Sequence, residues 1–137
     1  MVVLAGGKKF KPQVLRTDAK SNHALWKVDT VGFVLLAPIN NGIPKPGSVI
    51  YAIGTPAHLS LSQSLTKGIV SSTRVENGIE YIPTDTHSSF GNNGSPVTDA
   101  TGRLVGIINE LFFSSVQGLS LIVPIETVLD RLAIKLN

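Results

Sequence analysis

What most constrains this chain is its punctuation. Thirteen glycines and eight prolines, with frequent asparagines, cut it into short β-type runs, and no helical period develops before the C-terminal segment. "MVVLAGGKKFKPQVLRT" alternates, turns at Gly6-Gly7 and alternates again, the pattern of a hairpin. "HALWKVD" is a third short strand, "TVGFVLLAPI" an apolar run, and "NNGIPKPG" a turn-rich link. "SVIYAIGTP" reads as a buried strand. "SLTKGIVSSTRVENGIEYIPTD" holds two strands around Asn77-Gly78, the strongest short-range hairpin signal. A further hairpin turns between Asp99 and Gly102, and "GLSLIVPI" is the last strand. Only "PIETVLDRLAIKLN" carries a helical stripe, through Ile125, Val128, Leu129, Leu132 and Leu136, with Pro124 and Glu126 as start signals. Short strands at close spacing and one terminal helix predict an all-β antiparallel barrel or sandwich.

Composition removes several function classes. An apolar fraction of 42% against 15% charged residues excludes a disordered chain. The net charge of +3 is scattered, with no basic stripe interleaved with aromatics, so no nucleic-acid partner is expected. Without cysteine there is no disulfide scaffold, thiol nucleophile or thiolate metal site. His23, His58 and His87 show no ligand spacing, and Asp85 with His87 supplies only two ligands, so neither metal nor other cofactor is expected. The start "MVVLAGGKKF" lacks the pattern of a signal peptide, and no apolar run reaches the ~20 residues of a membrane span. The expectation is a chain with no membrane partner that stays where it is made, cytoplasmic by default.

The motif "FGNNGSPVTDATGRLVGI", with Thr84-Asp85 spaced ahead of it, resembles the nucleophile loop and following hairpin of trypsin-like serine proteases of the HtrA/Deg type. "GSVIYAIGTP", "LTKGIVSSTR" and "GLSLIVPIETVLDRL" resemble further segments of the same family in the same order, and "SNHAL" resembles the strand carrying its aspartate. The resemblance implies two six-stranded antiparallel barrels flanking an active-site cleft. On this mapping residues 1–33 form a partial first barrel, a hairpin plus one strand. Residues 34–137 form a complete second barrel with its C-terminal helix. The family's catalytic histidine falls in the part of the first barrel that has no counterpart here.

The resemblance places the family's attacking serine at Asn93 and its aspartate at Asn22. The triad mechanism needs a hydroxyl nucleophile, an imidazole base and a carboxylate that orients it. An amide has no nucleophilic hydroxyl and carries no charge. Gly91 and the Asn93 N–H fall where the family builds its oxyanion hole, which here is either a retained carbonyl pocket or a turn kept for its shape. Ser95 replaces a family glycine and is the alternative nucleophile, although no partnered histidine is evident. Ser88 and Ser89 read as loop hydrogen-bonders, Trp26, Phe112 and Phe113 as core or interface residues.

Three strands cannot close a barrel, so Val2, Leu4, Phe10, Val14, Leu15, Leu25 and Trp26 need cover, from the second barrel, a second copy or another polypeptide. The reading that results is a catalytically inactive, HtrA-like pseudoprotease, truncated at the N-terminus, that acts by peptide or protein binding or by self-assembly through its N-terminal strands. The alternatives are a serine-type peptidase that is weak or completed by a second chain, and a purely structural β module.

Overall fold

The computed structural model describes residues 1–4, 6–55, 63–86, 91–109 and 118–136. Two compact units emerge: Leu36–Val128, and Met1–Leu35 together with Leu129–Asn137. The architecture is mostly antiparallel β with one short helix, as the turn chemistry predicts.

The larger unit is one seven-stranded sheet. Its strands are β5 (Val49–Gly54), β6 (Ser64–Ile69), β7 (Arg74–Glu76), β8 (Ile79–Thr84), β9 (Pro96–Asp99), β10 (Leu104–Ile108) and β11 (Ser120–Pro124), in the order β6-β5-β9-β10-β11-β8-β7. Every pairing in it is antiparallel. The sheet curls back on itself: Val70, just past β6, bridges Thr84 in β8, and the Ser71 N–H donates to the Pro83 carbonyl at 2.9 Å. Inward positions build the core from Ile50, Ala52, Val70, Ile82, Val97, Val105, Ile108 and Ile122, with Ile39 and Ile43 packed against it. Alternation explains β5, where Ile50 and Ala52 are buried and Tyr51 and Ile53 are not. Asn77 and Gly78 take φ of 50° and 73°, as a two-residue turn of type I′ requires, and join β7 to β8 with Glu76 opposite Ile79. At the next hairpin Asp99 Oδ1 accepts from the Thr101 N–H, the Thr101 hydroxyl and the Arg103 N–H at 2.7 to 3.0 Å. Burial pushes the Asp99 carboxyl up, but these donors and the Arg103 charge outweigh it and hold the group below the usual aspartate range.

The smaller unit holds β1 (Val2–Val3) paired with β2 (Lys9–Phe10), and β3 (Gln13–Asp18) paired with β4 (His23–Lys27). The expected hairpin at Gly6-Gly7 forms, but it is short. Pro12, without an N–H to give a ladder, separates β2 from β3, which pairs with β4 instead. The C-terminal residues of this unit lock onto it: the Arg131 guanidinium donates to both carboxylate oxygens of Asp18, with Nη2 to Oδ1 at 2.9 Å, and Arg16 donates to the Leu132 and Ala133 carbonyls.

The helix α1 spans only Ile125–Arg131, shorter than the apolar stripe predicts. Ala133 takes φ 50°, its N–H donates to the Asp130 carbonyl, and the Ile134 N–H donates to the Leu129 carbonyl. That is a Schellman stop, which overrides a hydrophobic period that continues to Leu136. The apolar run from Val31 to Leu36 forms no strand, and Val31, Val34 and Leu35 are almost fully exposed. Trp26, expected in a core or interface, is half exposed.

Candidate functional site

The loop following Gly91 is built by the larger unit. β10 returns beneath it: the Gly94 N–H donates to the Ile108 carbonyl and the Ile108 N–H to the Ser95 carbonyl, both at 2.9 Å. The Ser95 N–H closes a turn onto the Asn92 carbonyl at 2.9 Å. Gly91 and Gly94 stand at φ 112° and 83°, the left-handed region in which a side chain is strained. The turn thereby sends Asn92 inward, to 5% exposure, and Asn93 outward to solvent.

Asn92, Gly54 and Gly68 escaped the sequence reading. Asn92 is buried, its Oδ1 without a hydrogen-bond partner among the described residues, and it lies on Gly54 at the end of β5. A Cβ at Gly54 would meet Asn92 Oδ1 at 2.5 Å and Ser95 Oγ at 2.8 Å. The glycine of "IGTP" therefore exists for this close approach, a requirement that spacing alone does not reveal. Gly68 plays the same part for the preceding segment. A Cβ there would meet Asp85 Oδ1 at 2.5 Å, and that oxygen accepts the Ile69 N–H at 2.7 Å. Thr84 and Thr86 are buried; the Thr84 hydroxyl accepts the Thr86 N–H, and the Ser120 hydroxyl donates to the Thr86 carbonyl at 2.8 Å.

Sequence and family comparisons fix the origin of this frame. The family model of the trypsin-like peptidase domain matches residues 1–107. The chain belongs to the trypsin-like peptidase family. Among relatives, the "Probable periplasmic serine endoprotease DegP-like" of Pseudomonas fluorescens is 32% identical over 136 residues, 95% of this chain and 28% of that protein. The serine endoprotease DegS of Escherichia coli is 30% identical over 124 residues, 86% of this chain and 34% of DegS. The solved HtrA-type protease AlgW with decapeptide superposes with a TM-score of 0.83 at 29% identity, over 96% of this chain and 42% of that one. This chain thus spans about a third or less of the length of these sequence relatives.

Against that family frame, the candidate positions fall in different units. Asn93, Gly91 and Ser95 belong to the larger one, where Asn93 is exposed and Ser95 is 9% exposed beneath the loop. Asn22 belongs to the smaller one. It sits at φ 55° in the turn between β3 and β4 rather than on a strand. That turn is held by Asp18, whose Oδ2 accepts the Ser21 hydroxyl at 2.5 Å and the Ser21 N–H at 3.1 Å. The Arg131 and Ser21 hydrogen bonds hold the Asp18 carboxyl far below the usual carboxylate range. Burial lowers the His23 imidazole, against the opposing pull of the Ser21 carbonyl and the Asp18 charge. Of the other residues singled out from sequence, His58, His87, Ser88, Ser89, Phe112 and Phe113 lie outside the described residues. Among the described residues no group of three His, Asp or Glu side chains is placed to hold a metal, and no helix is long and apolar enough to cross a membrane.

Proposed function

We propose that this member of the trypsin-like family does not hydrolyse peptides and works by binding. One observation carries the reading: an amide, Asn93, stands exposed on the loop where the resemblance puts the attacking hydroxyl. An amide cannot form an acyl-enzyme. A histidine supplied from any other segment or chain would not repair this, because the group lacking at residue 93 is the nucleophile itself. Asn22 compounds the loss, since a neutral amide does not stabilise an imidazolium. Ser95 is a poor substitute: it lies under the loop against Gly54 and Asn92, while a nucleophile must reach a substrate carbon.

The retained function is recognition of extended polypeptide. Gly91, at φ 112°, and Asn93 stand where the resemblance puts the family's oxyanion hole, and the solved relative AlgW carries a decapeptide. Residues 1–33 are read as part of a first barrel whose exposed Val3, Val14, Leu15 and Trp26 favour assembly with a second copy. The deciding experiment is turnover of fluorescent casein by the purified chain beside its Ser95→Ala variant. Equal, background-level rates are expected; turnover that disappears in the variant defeats the proposal.

A further inference from the structure

The smaller unit has a concave face that the family chemistry does not use. A groove of about 580 Å³ opens between the β1–β2 hairpin and the segment after β4, lined by Lys8, Phe10, Lys27, Val28, Asp29, Thr30 and Val31. Its apolar lining residues are Phe10, Val28 and Val31. Its charged residues are two lysines and one aspartate, Lys8, Lys27 and Asp29, a net of one positive charge; the Lys8 ammonium stands 5.1 Å from the Phe10 ring centroid. Lys27 meets Asp29 only at 3.9 Å, with the two side chains 61% and 95% exposed. So exposed a pair is worth little, and an incoming carboxylate can replace Asp29 without loss.

Two further observations say what the groove takes. Among the described residues, Val28 to Leu36 make no backbone hydrogen bond, so the N–H and C=O groups of Val28 to Val31, which line the groove, have no backbone partner. An extended polypeptide is the ligand that satisfies such a row, by adding a strand. Charge then selects the kind of polypeptide. Counting formal charges, residues 1–35 and 129–137 carry eight Lys or Arg against three Asp, a net of +5. Residues 36–128 carry four against six Asp or Glu, a net of −2, which together give the +3 of the whole chain.

We infer that this groove docks an extended acidic–apolar segment of another protein, its backbone paired along Val28–Val31, an apolar side chain on Phe10 and Val31, and its carboxylates at Lys8 and Lys27. The inference does not depend on the chemistry at Asn93 and stands or falls apart from it. The test is fluorescence anisotropy with a fluorescein-labelled Glu-Val-Phe-Val-Glu peptide on the full chain, beside its Gln-Val-Phe-Val-Gln analogue. The acidic peptide binds more tightly, by about threefold, since the contact at Lys27 exchanges one carboxylate for another and Lys8 supplies the net gain, and rising salt narrows the gap. The Lys8→Glu/Lys27→Glu variant reverses the preference, whereas Arg103→Glu, a surface charge of the larger unit, leaves it unchanged. Circular dichroism confirms that the variants fold. Equal affinity for both peptides, no binding of either, or insensitivity to the double reversal overturns the inference. So does a dimer by light scattering that the Lys8→Glu/Lys27→Glu variant disrupts, because a second copy then fills the groove.

Discussion

Replacing Asp18 by asparagine tests how the smaller unit is held together. The change keeps the shape of the side chain and removes its charge. In the native chain the Asp18 carboxylate takes two bonds from Arg131 and two from Ser21. The Asp18 and Arg131 side chains are 16% and 26% exposed, so the pair is neither a free surface contact nor a sealed one. An exposed pair contributes about 0–1 kcal/mol, and breaking a fully buried one costs about 3–5 kcal/mol. Asparagine retains one acceptor oxygen for Arg131, leaving one charge-assisted bond lost and a half-desolvated guanidinium uncompensated. The expected cost is about 2 kcal/mol. Hydrogen exchange reads it locally: the amides of Ser21, Ala133 and Ile134 exchange about 30-fold faster, while Val97 and Ile122 in the core of the larger unit serve as reference. The same linkage gives a pH dependence. The folded carboxyl is held far below its unfolded value, so its stabilisation is complete above roughly pH 3.9 and drains as acid titrates the folded form. Exchange unchanged within a factor of two, or accelerated equally at the reference amides, would refute the reasoning.

Other consequences follow from single contacts. Gly54→Ala drives a Cβ into Asn92 and Ser95 and costs about 1–3 kcal/mol in urea unfolding, whereas an alanine at the open turn position Gly102 is expected to be penalised only for its backbone. Ala133→Gly relieves a left-handed residue at the helix stop and raises stability by about 0.5–1 kcal/mol; a loss on thermal denaturation contradicts the Schellman assignment. His23 is held neutral by burial, so unfolding stability falls as pH drops below roughly 6.5 through the lower folded value, and His23→Gln flattens that step.

The parts of the fold legible in the sequence are those set by local chemistry. Asn77-Gly78 fixes one hairpin and the Asp99–Gly102 turn another, and alternation in "VIYAIG" marks the inward residues of β5. What escapes is set by partners distant in sequence. The Val31–Leu36 run has the composition of a strand, but no neighbour among the described residues offers it a ladder. The helical stripe outlasts the helix because Ala133 turns left-handed, where two backbone hydrogen bonds and the Arg16 side chain decide the outcome. At the site, the loop from Gly91 to Ser95 is readable from residue types alone. The glycines that support it and the segment before it, Gly54 and Gly68, are not, because each is a glycine for the sake of an atom more than fifteen residues away.

The most direct test is the intact mass of the chain after saturating treatment with a fluorophosphonate, which forms a covalent bond only with an activated hydroxyl. An amide at residue 93 and a buried hydroxyl at residue 95 predict an unchanged mass. A stoichiometric adduct that maps to Ser95 and is lost in Ser95→Ala would show that the protein has kept a working nucleophile.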